Sequence, residues 1–120
     1  MHILLVEDDE IVRSALTEAL ADAGMHVRSV SGPSAALDLP AGKDSPMVLV
    51  TDVNLGVAMD GFALADAARR RWPAIRIIVM SGHPENLNGH RLHPSDRFLP
   101  KPFFGAELLG VIHDLMAPKP

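Results

Sequence analysis

The sequence predicts an α/β protein: an open, doubly wound sandwich around a five-stranded parallel sheet. Three observations point to it. Short apolar runs alternate with stretches of helical period about five times along the chain. Runs such as Met47 to Thr51 and Ile75 to Met80 are apolar on both faces, as strands covered by helices on either side must be. The 120 residues, 48% of them hydrophobic, suffice to bury one core.

Each element has a local reason. Ile3 to Val6 is a compact apolar run of strand length. From Glu10 to Ala23 the period changes: Ile11, Ala15, Ala19 and Ala23 recur at every fourth residue, as do Val12, Leu16 and Leu20, which predicts a helix with one wide apolar face. Gly24 stands where a helix end favours glycine. Met25 to Val30 reads as the second strand. Pro33 is placed to open a short helix reaching about Leu39. Pro40 to Pro46 is turn-rich, Met47 to Thr51 is the third strand, and Asp52 to Met59 is a loop. A helix follows from about Asp60 to Arg71, ended by Trp72-Pro73. Ile75 to Met80 is the fourth strand. Arg97 to Leu99 is a short fifth, and about Phe104 to Met116 is a final amphipathic helix. Between them, 83–96 carries Pro84, Gly89 and Pro94 and predicts a fourth helix that is short or irregular. One domain is expected over 1–120, with its core at about 2–117 and a frayed tail at 118–120.

Composition narrows the function. Eleven basic and 15 acidic residues give a formal charge of −4, which argues against nucleic acid as the main partner. The lack of cysteine excludes disulfides, thiolate metal sites and cysteine nucleophiles. No apolar run approaches the about 18 residues of a membrane span, and Met1-His2-Ile3 enters a strand without a basic leader. The expectation is a soluble, cytoplasmic protein whose chemistry rests on carboxylates, hydroxyls, histidines or lysines.

Polar residues gather at the carboxyl ends of the strands. The first run leads into Glu7-Asp8-Asp9-Glu10, the third ends at Asp52, the fourth at Ser81, and the fifth leads to Lys101-Pro102. In a flavodoxin-like order 2-1-3-4-5, the first and third strands flank the point where the winding reverses, where such sheets bind ligands. Glu7, Asp8 and Asp52 would meet there. Clustered carboxylates repel one another unless a cation intervenes, and magnesium suits oxygen donors while leaving room for a phosphate. Lys101 adds a compact positive charge and Ser81 a hydroxyl. Carboxylate nucleophile, magnesium, lysine and hydroxyl together describe phosphoryl transfer to an aspartate.

The residues carrying this pattern are Ile3-Leu4-Leu5-Val6-Glu7-Asp8-Asp9, Val48-Leu49-Val50-Thr51-Asp52-Val53-Asn54-Leu55, Asp60-Gly61, Val79-Met80-Ser81-Gly82 and Phe98-Leu99-Pro100-Lys101-Pro102-Phe103. Over essentially its whole length the chain resembles the receiver domain of two-component response regulators. The resemblance implies a phosphorylation-controlled switch, not a metabolic enzyme, with limited self-phosphotransfer and autodephosphorylation. It makes Asp52 the phospho-acceptor and Glu7, Asp8, Asp52 and the Asn54 backbone carbonyl the holders of magnesium, or of manganese in its place. Asp8 would be the direct ligand and Glu7 would act partly through water. Ser81 and Phe98 would be the switch residues and Lys101 the phosphoryl-holding lysine, before a cis bond to Pro102. Asn54 and His83 would tune the phosphoryl lifetime. The implied partners are a sensor histidine kinase or histidine phosphotransfer protein and a downstream protein docking on the face of the fourth helix, fifth strand and last helix. No nucleic acid or membrane partner is implied, and the state is a monomer or weak homodimer.

Plainer uses exist for the same residues. Acidic runs such as Asp9-Glu10 start helices, Asp52 can cap a loop, Ser81 can serve a turn beside Gly82, and Phe98 can be core. His83, His90 and His93 raise a zinc site, with no cysteine and no evident fourth ligand to support it. Arg69-Arg70-Arg71 reads as a solvated helix end. Three other functions compete: a receiver within a hybrid kinase or DNA-binding regulator, a magnesium-dependent aspartyl phosphohydrolase, and an interaction module that has lost its chemistry.

Overall fold

A computed structural model describes residues 2–39, 45–55, 59–83 and 92–117. Its elements run β1 (His2–Val6), α1 (Glu10–Asp22), β2 (His26–Val30), α2 (Pro33–Leu37), β3 (Val48–Asp52), α3 (Gly61–Arg71), β4 (Arg76–Ser81), β5 (Arg97–Pro100) and α4 (Gly105–Met116). The strands form one parallel sheet of order β2-β1-β3-β4-β5, as the sequence predicts.

Alternation along the central strands divides the core in two. Leu4, Val6, Leu49, Ile77 and Val79 face α2 and α3, meeting Ala36, Leu64, Ala65 and Ala68. Ile3, Leu5, Val48, Val50, Ile78 and Met80 face α1 and α4, meeting Leu16, Leu20, Leu108, Ile112 and Leu115. Each large apolar side chain so buried contributes about 1.5–3 kcal/mol.

Helix starts follow local chemistry. The Asp9 carboxylate accepts the N–H groups of Ile11 and Val12 at 2.9 and 3.1 Å, and that of Asp60 accepts the Ala63 N–H at 2.9 Å. Pro33 opens α2, and the Glu107 carboxylate accepts the Phe104 N–H at 3.0 Å before α4. Gly24 has φ +86°, the left-handed turn that releases the chain from α1 into β2.

Several expectations need correction. The apolar face of α1 is narrow: Leu16 and Leu20 are buried and Val12 packs on them, whereas Ala15 and Ala23 are exposed and Ile11 is 82% exposed. A helix lying on one sheet hides only one stripe, and Ile11, in the first turn two residues after the Asp9 cap, points off it. The outer strands are not apolar on both faces. β2 is exposed or half-buried throughout, because an edge strand has a neighbour on one side alone. Arg69 is not simply solvated. Its guanidinium donates to both Asp96 oxygens at 3.0 and 2.8 Å, and the Asp96 side chain is 2% exposed. This pair fastens α3 to the start of β5. Most of the segment expected to hold a fourth helix (84–91), the tail at 118–120, residues 40–44 of the turn-rich stretch and Met1 lie outside the described residues. No helix among the described residues is long and apolar enough to cross a membrane.

Candidate functional site

Parallel register brings the strand ends to one edge. Val6 pairs with Thr51, Asp52 with Met80, and Ser81 with Pro100. The ladder continues past the strands: the Glu7 N–H donates to Val30 O at 3.2 Å, and the Lys101 N–H donates to Ser81 O at 2.8 Å. Glu7, Asp52, Ser81 and Lys101 therefore occupy adjacent positions, although up to 94 residues separate them in sequence.

Lysine 101 is the hub. Its Nζ donates to Asp52 Oδ2 at 2.8 Å and to Glu7 Oε2 at 2.9 Å. The Lys101–Pro102 peptide bond is cis. Burial draws the Lys101 ammonium toward lower pKa, but its hydrogen bonds to Asp52 and Glu7 outweigh this and leave it raised. Glu7 differs, being 1% exposed. Desolvation lifts its carboxyl above the ordinary range, against the lowering influence of Lys101 and of the Asp9 N–H, which reaches Glu7 Oε1 at 3.1 Å. A shared lysine does not fully offset the burial of that charge. Arg13 also holds this corner, donating to the Glu7 backbone oxygen at 2.9 Å.

A cleft of about 540 Å³ opens over these residues, lined by Asp8, Asp52, Val53, Asn54, Asp60, Ser81, Gly82, His83 and Lys101. Asp8 is exposed into it, whereas Glu7 lies behind the lysine. Carboxylate oxygens of Glu7, Asp8 and Asp52 lie within 4.8 Å of one another. Three carboxylates against one ammonium leave excess negative charge on hard oxygen donors, a set that fits magnesium. The Asn54 N–H donates to Asp52 Oδ1 at 3.3 Å. Ser81 Oγ accepts the His83 N–H at 3.0 Å and donates to His83 O at 3.2 Å, the plainer turn role. Phe98 is half-buried against the α2–α3 core cluster, so its packing role is real.

Among the described residues the histidines raised for zinc join no group of three metal-ligating side chains. His83 and His93 are both exposed, and His90 lies outside the described residues. Two features went unread in the sequence. Asp60, besides capping α3, lines the cleft. Gly61 lies so close to β3 that a Cβ there would stand 2.2 Å from the Asp52 carbonyl oxygen. The Asp60-Gly61 pair was visible as letters; the close approach behind it was not.

The sheet order and the acidic, lysine-bridged cleft at the winding reversal define a doubly wound α/β domain with an acidic cluster that could hold a cation. Comparison with known proteins agrees. The profile of the response regulator receiver domain matches residues 3–113, and the chain belongs to that family. It is 32% identical over 104 residues to the DNA-binding transcriptional regulator NtrC of Escherichia coli, covering 84% of this chain and 22% of that protein. Chemotaxis protein CheY4 of Vibrio cholerae superposes with a TM-score of 0.82 at 26% identity, over 96% of this chain and 98% of that one. A response regulator receiver protein from Sinorhizobium medicae gives 0.84 at 27% identity, over 96% and 93%. The chain spans less than a quarter of the length of the curated relatives it matches, such as NtrC at 22%.

Proposed function

We propose that this domain is a switch that accepts a phosphoryl group on Asp52 from a phosphohistidine of a sensor histidine kinase or histidine phosphotransfer protein. The observation carrying this reading is the Lys101 ammonium held between Asp52 and Glu7 at 2.8 and 2.9 Å, with Asp8 facing the same cleft. Asp8, Asp52 and the Asn54 backbone carbonyl would hold magnesium or manganese, with Glu7 assisting through water. The ion, when bound, supplies charge neutralisation for the incoming phosphoryl oxygens.

The chain's own groups do the rest. An Asp52 carboxylate oxygen attacks phosphorus; the new O–P bond forms as the donor's N–P bond breaks, and the imidazole leaves with the electron pair. Lys101, already beside Asp52, turns from the carboxylates to the phosphoryl oxygens. Ser81 gives up its hydrogen bonds to the His83 backbone and turns toward the phosphoryl group, and Phe98 moves into the space released. Asn54 and His83 border the cleft and set how readily water reaches the acyl phosphate, which the domain slowly hydrolyses. The changed face is β5 with α4 and the segment before β5, where a downstream protein docks. The domain works as a monomer or weak homodimer in the cytoplasm, and 1–120 forms one folding unit.

Magnesium with beryllofluoride, a phosphoryl mimic, tests the reading. Amide shifts near Ser81 move strongly. Fluorescence of Trp72, buried at the far end of β4, changes weakly. A wild-type protein with no amide response, or Asp52→Asn responding equally, refutes it.

A further inference from the structure

The end of the sheet opposite the acidic cleft carries a cavity of about 590 Å³. It lies where β3 and β4 begin and α4 ends, with Met47, Arg71, Trp72, Ile75, Arg76 and Met116 among its walls. Cavities of about 300–1,000 Å³ suit small organic ligands. The Met47 side chain is 43% exposed, although its backbone is fixed: its N–H donates to His2 O at 2.8 Å and its oxygen accepts the Arg76 N–H at 3.0 Å. An exposed methionine there leaves apolar surface that adapts its shape to a ligand. The two arginines add charge. Arg76 is half-buried, and its Nη1 donates to Leu115 O at 3.1 Å, which fixes the guanidinium at the last turn of α4. The Arg71 guanidinium lies 5.3 Å over the Trp72 ring and donates to Leu39 O. Arg69 and Arg97 pair with carboxylates, whereas among the described residues the guanidinium groups of Arg71 and Arg76 meet only neutral carbonyls and the indole.

We propose that this cavity is a binding site for a small soluble carboxylate with an apolar body. The carboxylate pairs with Arg76, whose Nε and Nη2 take no part in the bond to Leu115 and remain to donate. The body lies against Met47 and Met116, over the edges of Trp72 and Ile75, which are 5% and 4% exposed. Arg71 adds a second positive charge to the cavity wall. Charge and lining together decide the class of ligand. Two guanidinium groups repel a cation, and an uncharged apolar molecule leaves them unpaired. A bare inorganic anion gains nothing from the methionines. Five residues of β4 separate Arg76 from Ser81, about 16 Å of strand, so the site is distinct from the phospho-acceptor cleft. A bound ligand joins the starts of β3 and β4 to the last turn of α4.

The test titrates the full chain, with magnesium present, with octanoate and with 1-octanol as its uncharged counterpart. Trp72, the one tryptophan of the chain, and isotope-labelled methionine methyl groups report binding. Octanoate binding saturates and shifts Trp72 emission and the methyl signals of Met47 and Met116. Octanol binds on the order of tenfold more weakly. Arg76→Gln weakens octanoate binding by on the order of tenfold and leaves octanol binding unchanged, whereas damage to the packing of α4 would weaken both alike. Met47→Glu, at an exposed side chain, folds and abolishes octanoate binding, its carboxylate taking the place of the ligand's. The proposal fails if octanoate gives no saturable shift, if octanol binds as tightly, or if Arg76→Gln binds octanoate as wild type or loses both ligands equally. It also fails if Met47→Glu binds as wild type, or if the signals that move are those around Lys101.

Discussion

Replacing Gly61 with alanine should damage fold and site together, and the structure gives the size of the effect. A Cβ at Gly61 stands 2.2 Å from the Asp52 carbonyl oxygen and 3.0 Å from both the Asp52 carbonyl carbon and Val53 Cα. All three are backbone atoms, so no rotamer change relieves the clash. Restoring an ordinary contact of 3.4 Å moves the first turn of α3 about 1.2 Å from the end of β3. The Gly61 N–H to Val53 O hydrogen bond, at 2.8 Å, spans that junction and breaks. Overpacking costs about 1–3 kcal/mol and the lost bond about 1 kcal/mol, so Gly61→Ala destabilises by about 2–4 kcal/mol. The atoms pressed are the backbone of Asp52, whose carboxylate is 2.8 Å from Lys101, so whatever share of the movement β3 takes up shifts that carboxylate. A misplacement of about 1 Å lowers the rate of acyl phosphate formation by about 10²-fold. Urea unfolding and the initial rate of labelling by a small phosphodonor in magnesium measure the two effects. Gly110→Ala, with nothing within 4 Å of its new methyl group, is the control and should stabilise by about 0.5–1 kcal/mol. Gly61→Ala within about 0.5 kcal/mol of wild type, labelling at the wild-type rate, refutes the reasoning.

Two further outcomes follow from charge. Glu7 has a native pKa raised above its ordinary value of 4.5, so its contribution to stability is full below 4.5 and is lost as pH rises through the native value. In metal-free buffer Glu7→Gln should therefore gain on wild type as pH climbs from 4.5 and then level off; urea titrations showing a constant or reversed difference contradict this. Arg69→Ala leaves the Asp96 carboxylate, 2% exposed, without its guanidinium, and should cost about 3 kcal/mol. Asp96→Asn should cost less, and a double-mutant cycle should show the two effects falling short of additivity; additive losses would mean the pair is not coupled.

Most of the architecture was legible because parallel sheets write themselves plainly. Runs such as Val48 to Val50 are apolar without interruption, since helices cover both faces, and Asp9, Gly24, Pro33 and Asp60 mark helix ends by local chemistry. The cleft was legible for the same reason: Asp52 and Ser81 end strands, Glu7, Asp8 and Lys101 follow them, and parallel strands deliver their ends to one edge. What the sequence left open depends on contacts between residues far apart in the chain. Ile11 and Val12 are equally apolar as letters, and only the seating of α1 on the sheet exposes one and covers the other. Arg69 shared a run of three arginines, and only the approach of β5 to α3 gave it a buried carboxylate. Glu7 and Asp8 are adjacent acids, yet packing hides one behind Lys101 and opens the other to the cleft. Periodicity and capping act within a few residues and can be read along the chain. Burial, ion pairing and the closeness of Gly61 to Asp52 arise across the sheet, so tertiary packing alone decided them.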